Sequence, residues 1–473
     1  MGQAAERLRR TWQALMDEPV VDPPEEEPGE VVSYLALDLV LRVGELMLAS
    51  GEPTERVNEA MLSLAVAYEL PRCEVQVTFT NILVSAHPGN GAPPVTGARS
   101  IRRRTPAYWR LVELHRLVHD ATIGLVDLDE SFVRLREIKY GRGPYPRWMV
   151  AVSFALVAAS AGVLVGGGPL VAGTGFVATL LADRAAIALA RRGIAEFFQL
   201  SLAAAIAATS AAVVIAAGAP AHAATIVTGA VVALLPGRPL VASIQDGITG
   251  DLVSAAARLL EVFFIVAAIV AGLGVTVYAA VRLGVRIDVN DLPAAPVTLQ
   301  PVAILAAAAV SLTFAVSLAV PRDVLVPSAL GGGLIWVVYV LLTAGGDQAR
   351  AADGRHSIPG LDIPPVLASA IAAVLLGLLG NLLARRRRAA ALPYVVPAIA
   401  PLLPGTALYR GMIEINTGAP QVGVLSLIGA ISIALALAAG VNMGGELVRA
   451  FQRIGLGGSG RGARPAAHRT RGY

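Results

Sequence analysis

Cysteine and lysine are nearly absent from this chain of 473 residues, which contains one of each, Cys73 and Lys139. A single cysteine excludes an intrachain disulfide and a zinc site made of several thiolates. Among the six histidines, only His115 and His119 have a metal-ligand spacing, and no third ligand accompanies them. We therefore expect the protein to bind no metal and no cofactor.

Signatures of catalysis and of nucleotide binding are also missing. No Gly-Lys-Ser or Gly-Lys-Thr follows the glycine-rich stretches at 162–169 and 329–336, which argues against phosphate loops and ATP-driven transport. No Ser-His-Asp or paired-acid arrangement stands out, so we do not expect an enzyme. The residues before Gly29 lack the apolar core of a cleavable signal peptide.

Apolar residues, in contrast, make up 55% of the chain. Residues 1–147 contain 17 basic and 21 acidic side chains, whereas the 326 residues that follow contain 21 and 13. The first part is charged like a soluble domain and the second like a membrane domain. The net charge of +4 comes mostly from short basic runs beside apolar segments, so it does not indicate binding to nucleic acid.

These patterns divide the chain into five regions. An acidic tail containing PPEEEPGE and a basic tail are both predicted to be disordered. Between them we predict a small soluble α/β domain, with strand-like alternation at 73–86 between two pairs of helices, and then two membrane regions. The regions are 1–29, 30–146, 147–287, 298–450 and 451–473.

Ten apolar segments follow Arg147, each long enough to cross about 30 Å of hydrocarbon. The loop at 282–300 divides them into five and five. We therefore predict a polytopic α-helical membrane protein with about ten transmembrane helices. The segments lie near 148–165, 169–190, 194–217, 222–243, 255–281, 299–319, 324–344, 364–384, 391–412 and 421–447.

Two stretches of the chain are nearly alike, VVALLPGRPLVASIQDGITGDL at 231–252 and IAPLLPGTALYRGMIEINTGAP at 399–420. They align without a gap, share LLPG and a TG pair, and place Asp246 opposite Glu414. Each lies in the fourth segment of its half. Because a unit with an odd number of spans must insert its second copy upside down, we predict two inverted five-helix repeats, as in many secondary transporters.

Each LLPG stretch interrupts an apolar segment with a Pro-Gly pair. We call Pro236-Gly237 the first break and Pro404-Gly405 the second break. Proline removes a backbone donor and frees a carbonyl, and lipid supplies no partner for that carbonyl. Broken helices at matching positions of two repeats indicate a transport site, whereas a lone Pro-Gly pair is more often a simple kink.

Asp246 and Glu414 are candidates for the substrate and ion pathway. A carboxylate deep in a bilayer costs about 2.5–3.5 kcal/mol on insertion scales, so such acids are normally functional or paired. Both lie more than 20 residues into their segments, and they could equally be solvated at helix ends on opposite faces. Five neighbouring residues offer hydroxyl, amide and backbone groups, or equally form turns. They are Thr249, Gly250, Asn416, Thr417 and Gly418.

Basic residues predict the orientation, because arginine and lysine concentrate on the cytoplasmic side of membrane proteins. Those before the first segment and those near Arg191, Arg322, Arg385 and Arg449 fall on one side of the predicted bundle. The arginines on the opposite side are accompanied by aspartates. We therefore predict a multi-pass protein of the plasma membrane with both termini and the α/β domain in the cytoplasm.

The chain resembles the threonine/serine exporter family from about Val31 to Arg449. The features that carry the resemblance are LRVGELMLASGEPTERVNEAM at 41–61, CEVQVTFTNILVSA at 73–86, and the two five-span halves with their LLPG stretches. The resemblance implies a cytoplasmic domain on a ten-span permease that exports small hydroxy amino acids and is driven by the proton motive force. Other proteins similar to this family are linked to dicarboxylate efflux.

We interpret the protein as a secondary exporter of small polar amino acids in the lipid bilayer, with protons as the coupling ion. The sequence leaves a homo-oligomer open. One alternative is export of small dicarboxylates on the same scaffold, in which Arg238 or Arg410 beside the breaks would hold the anion. Another is a membrane-anchored enzyme or sensor active in residues 31–140, against which the duplicated broken helices argue.

Overall fold

The structure, a computed structural model, describes residues 32–88, 92–101, 107–219, 222–284, 299–344, 361–416 and 419–455. The acidic tail predicted for 1–29 and nearly all of the basic tail predicted for 451–473 lie outside these residues. Within them the chain forms a small mixed α/β unit followed by a large bundle of apolar helices.

The first unit contains four helices and a three-stranded antiparallel sheet in the order β1-β2-β3. The alternating run at 73–86 forms two strands rather than one, because the chain turns where the N–H of Thr78 donates to the carbonyl of Asn81 at 2.8 Å. The elements are α1 (Tyr34–Ala49), α2 (Thr54–Ala67), β1 (Cys73–Val77), β2 (Asn81–Ala86), β3 (Val95–Ser100), α3 (Tyr108–Thr122) and α4 (Leu128–Tyr140).

The apolar stripe of α1 is the centre of this unit. Leu39, Val43 and Met47 recur at helical spacing, and all three are fully buried. Gly44 on the same helix leaves room for Met61 of α2, with which a side chain at position 44 would collide. Most buried apolar residues of 32–138 form a cluster of their own, whereas Tyr108 and Leu111 of α3 belong to the cluster that joins the helices of the bundle.

Among the described residues, the second unit contains twelve helices, and two pairs of them flank the LLPG breaks. They are α5 (Arg147–Leu164), α6 (Pro169–Arg191), α7 (Glu196–Ala216), α8 (Ala223–Leu234), α9 (Gly237–Ile248), α10 (Leu252–Arg282), α11 (Pro301–Ser317), α12 (Arg322–Thr343), α13 (Pro365–Arg386), α14 (Leu392–Ala398), α15 (Gly405–Asn416) and α16 (Pro420–Gly455). A short 3₁₀ turn, Ala400–Leu402, follows α14.

In the described part of the chain, seven helices are long and apolar enough to cross a bilayer. The bent pairs α8–α9 and α14–α15 raise the number to at most nine. The sixth predicted segment forms α11, which has 17 residues and is therefore only about 25 Å long. The prediction of a polytopic helical membrane protein is thus confirmed, and the count of ten spans stays a prediction.

Small residues let the long helices of the bundle approach closely, as is usual where lipid gives no hydrophobic driving force between helices. A Cβ at Gly440 of α16 would lie 2.5 Å from the carbonyl oxygen of Ala370 on α13. A Cβ at Gly229 of α8 would lie 2.5 Å from the carbonyl oxygen of Ala158 on α5. Backbone-to-backbone contact therefore fixes how these helices cross.

The α/β unit sits against one end of the bundle. The N–H groups of Tyr108 and Trp109 donate to the carbonyls of Leu318 and Ala319, just after α11, at 3.2 and 3.1 Å. The Tyr145 hydroxyl donates to the carbonyl of Val320 at 2.9 Å. We call this end of the bundle the domain-facing end.

Candidate functional site

The two breaks have the same backbone geometry. At each one, the N–H of the glycine donates to the carbonyl of the residue before the proline, at 2.9 Å for Gly237 and 2.8 Å for Gly405. Pro236 has φ −80° and ψ 55°, the geometry of an inverse γ-turn. The helices on either side are bent by 52° at the first break and by 47° at the second. The breaks are therefore true interruptions of two helices rather than gentle kinks.

The two breaks also face each other inside the bundle. A Cβ at Gly237 would lie 3.6 Å from Leu403, in the second LLPG stretch. A Cβ at Gly405 would lie 2.8 Å from Val232 and 3.4 Å from the carbonyl oxygen of Thr228, both on α8. Two segments about 168 residues apart in the chain thus place their interrupted backbones in contact.

Such an arrangement offers hydrogen-bonding groups where the surroundings are apolar. The first N–H groups of α9 and α15 and the last carbonyls of α8 lack partners within their own helices. The positive ends of the α9 and α15 dipoles lie at the breaks, where they favour a negatively charged group. The hydroxyl of Thr228, beside the second break, is fully buried and has no hydrogen-bond partner among the described residues.

Asp246, near the end of α9, is fully buried and paired. Its Oδ2 accepts from Nε of Arg258 on α10 at 2.7 Å, and the Arg258 side chain is only 2% exposed. Its Oδ1 accepts from the backbone N–H of Thr54 at 2.9 Å and from the Thr54 hydroxyl at 3.0 Å. We call these three residues the Asp246 cluster. A solvated Asp246 at a helix end, one of the two interpretations above, is therefore wrong.

The Asp246 cluster joins the α/β unit to the bundle. Thr54 is the first residue of α2, so the carboxylate of a membrane helix satisfies an N–H at the start of a helix in the other unit. Nη2 of Arg258 donates to the carbonyl of Glu52 at 3.0 Å, and its guanidinium lies 5.5 Å from the centre of the Phe79 ring. Three residues of the α/β unit, Glu52, Thr54 and Phe79, thus contact a single ion pair of α9 and α10.

Glu414, near the end of α15, is likewise buried, with 6% of its surface exposed. Its Oε1 accepts from Nε of Arg410 at 3.2 Å and its Oε2 from the hydroxyl of Ser426 at 2.6 Å. We call these three residues the Glu414 cluster. Ser426 lies twelve residues after Glu414, and Arg258 lies twelve residues after Asp246. The two acids are therefore held from equivalent positions of the following helix.

The two clusters lie on opposite sides of the breaks. Helix α9 runs from the first break to the α/β unit, whereas α14 starts at the domain-facing end and α15 continues beyond the second break away from it. A bend of 47° does not reverse the direction of a chain. Asp246 is therefore at the domain-facing end, and Glu414 is toward the opposite end.

The other predicted pathway residues occupy the ends of the same helices. The Thr249 hydroxyl donates to carbonyls of α9 at 3.0 and 3.1 Å, and Gly250 has φ +90°, so the two residues terminate that helix. Asn416 is the last residue of α15. Thr417 and Gly418 lie outside the described residues.

The arginines that could hold a dicarboxylate are engaged elsewhere. Nε of Arg410 donates to Glu414, as described. Nη1 of Arg238 lies at the α/β unit, 3.7 Å from where a Cβ would be at Gly51. Neither geometry favours an anion site made of free guanidinium groups at the breaks.

Sequence analysis missed the partners of the two acids and the buried hydroxyl of Thr228. Arg258 had a usable signal, since it is a charge within an apolar segment and aligns with Ser426 when the LLPG stretches are superposed. Thr54 gave no such signal for a contact with Asp246, because 192 residues separate the two in the chain.

Comparison with known proteins identifies relatives over most of the chain. The family described as putative threonine/serine exporter matches residues 38–280, and a second, described as threonine/serine exporter ThrE, matches residues 355–445. A probable threonine/serine exporter of Mycobacterium tuberculosis is 34% identical over 429 residues, covering 89% of this chain and 78% of the relative. A threonine/serine exporter of Corynebacterium glutamicum is 28% identical over 426 residues, covering 88% and 83%. No solved structure matches the chain.

Proposed function

Because the chain belongs to the threonine/serine exporter family, we propose that it is a secondary exporter of small polar amino acids of the threonine and serine type, driven by protons. The observation that carries this proposal is the contact between the two breaks. Broken helices that meet inside a bundle are the usual way in which transporters expose backbone groups to a polar substrate.

The breaks supply what a zwitterionic amino acid requires. Its carboxylate accepts from first-turn N–H groups of α9 and α15 other than those of Gly237 and Gly405, where the helix dipoles also favour a negative charge. Its ammonium donates to carbonyls left without partners at the end of α8. Thr228 contacts the Gly405 position through its carbonyl oxygen and its methyl group. Its buried hydroxyl has no partner among the described residues and can pair with a substrate hydroxyl.

The Asp246 and Glu414 clusters are proposed as gates on the two sides of this site. Each is a buried carboxylate that joins the second helix of a broken pair to the long helix that follows. Separating such partners one side at a time would open the site alternately to each face of the membrane. These acids are also the proposed carriers of the coupling proton, because they are the buried carboxylates on the two sides of the breaks.

The proposed inverted repeat is supported by matching contacts in the two halves. The first helices of the halves, α5 and α11, pack against each other. In the second half, a Cβ at Gly423 would lie 2.5 Å from the carbonyl oxygen of Gly411. The aligned residues of the first half are Ser243 and Ala255, and the Ser243 hydroxyl donates to the Ala255 carbonyl at 2.8 Å. The same helix crossing thus recurs at equivalent positions.

We also propose that the α/β unit and both termini are cytoplasmic and that the membrane is the plasma membrane. Arg322, which follows α11, and Arg385, at the end of α13, belong to the domain-facing end. Their positions fit a cytoplasmic location for that end by the positive-inside rule.

Efflux from proteoliposomes tests the proposed site. Proteoliposomes that contain the protein would be loaded with radiolabelled amino acids or dicarboxylates. An imposed pH gradient would then drive efflux. We expect threonine and serine to leave, and we expect export to fall steeply when Pro236 and Gly237, or Pro404 and Gly405, are both changed to alanine. Pro327→Ala, which removes a proline inside α12 rather than at a break, is the matched control and should export normally.

Wild-type export by both doubly substituted proteins would refute a site at the breaks. Efflux of dicarboxylates without efflux of amino acids would instead support the alternative substrate class.

Coupling is tested separately with Glu414→Gln, which keeps the shape of the side chain and removes its proton-carrying group. If Glu414 carries the proton, exchange of labelled for unlabelled threonine continues, whereas uphill efflux stops. A proton moving down 100 mV supplies about 2.3 kcal/mol, roughly a fiftyfold concentration ratio, so the loss is measurable. Glu196→Gln, at the first residue of α7, is the control. An equal reduction of exchange and uphill efflux would mean that Glu414 is structural.

A further inference from the structure

A polar cavity of about 140 Å³ lies between the α/β unit and the domain-facing end of the bundle. The α/β unit contributes Glu52 and Arg56, α9 contributes Gln245, and the ends of α13 and α16 contribute Arg385 and Arg449. The cavity is thus separate from the breaks, although α9 connects the two. Its volume is well below the 300–1,000 Å³ typical of sites for drug-sized ligands, which indicates a smaller ligand.

The carboxylate of Glu52 is the unusual feature of this cavity. The residue is only 4% exposed, and its Oε1 lies 3.3 Å from Nε2 of His115. Its Oε2 is buried and has no hydrogen-bond partner among the described residues. A buried carboxylate oxygen without a donor is costly, so this atom needs a ligand that donates hydrogen bonds.

The opposite charge comes from the arginines. Arg56 pairs with Glu59 at 3.2 Å, and Arg449 pairs with Glu446. In the described part of the chain, no carboxylate pairs with Arg385, which is exposed at the edge of the cavity. The cavity therefore presents an acceptor without a donor and a guanidinium without an acceptor.

These charges select one class of ligand. A metal ion would need several oxygen, nitrogen or sulfur ligands, and the described residues contain no group of three or more such side chains. An inorganic anion would leave Oε2 of Glu52 without a donor, and a simple amine would leave Arg385 unpaired. A small molecule with one ammonium and one carboxylate satisfies both groups at once.

We propose that this cavity binds one free α-amino acid as a zwitterion, with its ammonium on Oε2 of Glu52 and its carboxylate on Arg385. The proposal rests on the proposed exporter function only for the identity of the bound amino acid, which we take to be threonine or serine. The site is a place where substrate is collected before it reaches the breaks.

Glu52 also links the cavity to the Asp246 cluster. Its backbone carbonyl accepts from Nη2 of Arg258, and the next residue but one, Thr54, donates to Asp246. Gln245, beside Asp246 on α9, lines the cavity as well. A ligand held by Glu52 therefore lies against the Asp246 cluster, which is the proposed gate on this side. Binding of the ligand can therefore change how readily that gate opens.

Equilibrium binding to the purified full-length protein in nanodiscs tests this site. Three probes separate the two charges: L-threonine, its methyl ester, which lacks the carboxylate, and 3-hydroxybutyrate, which lacks the ammonium. Each probe would be titrated against the wild type and against Glu52→Gln and Arg385→Gln. Glu74→Gln, on exposed strand β1, and Arg386→Gln, adjacent to Arg385 on α13, are matched controls outside the cavity.

We expect each substitution to weaken threonine binding about tenfold or more, because each removes a charge-assisted hydrogen bond. Glu52→Gln should also weaken binding of the ester, and it should not weaken binding of 3-hydroxybutyrate. Arg385→Gln should weaken binding of 3-hydroxybutyrate, and it should not weaken binding of the ester. Both control variants should bind all three probes as the wild type does. A substitution that merely damaged the fold would weaken all three probes together, and that result would overturn the proposal.

The outcomes also separate this site from the exporter function. Export of threonine with unchanged binding in both variants would refute the cavity site and leave the exporter standing. Binding that depends on Glu52 and Arg385 in a protein that exports no amino acid would refute the exporter and leave the cavity site standing. Failure of the wild type to bind threonine would refute the cavity site.

Discussion

At the scale of single residues, Asp246 and Arg258 form a fully buried ion pair in the bundle. Neither side chain is more than 2% exposed, and every charged oxygen of Asp246 has a donor. Replacing such a pair by apolar residues can be neutral, but removing one member leaves a buried charge without compensation. The pair is therefore best understood as a specific connection between α9, α10 and the α/β unit rather than as a source of net stability.

Arg258→Gln is expected to lower the free energy of unfolding by about 3–5 kcal/mol, because Asp246 then stays buried without its cation. Arg184→Gln is the matched control, since Arg184 and Asp183 also pair at 2.8 Å but the Arg184 side chain is 56% exposed. An exposed pair contributes at most about 1 kcal/mol. The midpoints of thermal unfolding of the purified proteins give the comparison. Equal midpoints for the two variants would show that the Asp246 pair is not desolvated.

At the scale of helices, the glycines of α16 show where a helix touches its neighbour. A Cβ at Gly444 would lie 2.5 Å from the backbone nitrogen of Leu378 on α13, whereas a Cβ at Gly429 meets nothing within 4 Å. Contact of α13 and α16 therefore depends on Gly444 and not on Gly429.

Gly444→Ala is expected to lower the free energy of unfolding by about 1–3 kcal/mol, because an added methyl group forces α13 and α16 apart. Gly429→Ala on the same helix should instead stabilise the protein by up to about 1 kcal/mol, because alanine is the better helix former. Thermal unfolding of both variants checks the opposite signs. The same sign for both would mean that α13 and α16 do not cross at Gly444.

The helices also show what could be predicted from the sequence. The Pro-Gly pairs interrupt α8–α9 and α14–α15 as predicted, because proline acts on the backbone beside it and needs no distant partner. The run at 73–86 was expected to have strand structure and does, but the turn at Thr78 divides it. Alternation alone carries no information on where a run of β-branched residues folds back.

At the scale of the whole molecule, the predicted orientation can be checked by labelling. In a Cys73→Ser background, single cysteines near Ala219, Asp288 and Asp353 should react with an impermeant thiol reagent added outside intact cells. A cysteine beside Arg387, at the domain-facing end, should react only after the cells are permeabilised. External labelling beside Arg387 would overturn the orientation and the inverted repeat that depends on it.

Contacts between the two units could not be predicted. Asp246 and Glu414 align in the sequence, yet Asp246 is held by Arg258 and by Thr54 of the α/β unit, whereas Glu414 is held within its own half by Arg410 and Ser426. The repeat makes the two acids look equivalent, and docking of the α/β unit on one end removes that equivalence. Periodicity describes single elements and does not specify which surfaces of two units meet.

The bond between Thr54 and Asp246 has a consequence for how the protein is made. A ribosome that adds about 5–20 residues per second needs roughly 10–40 s to cover the 192 residues between them. During that interval, the first amide of α2 lacks the carboxylate that completes it. The α/β unit, although synthesised first, therefore reaches its final form only after four apolar segments have followed it from the ribosome. Its completion therefore requires that α9, the second helix of the first broken pair, has already been synthesised.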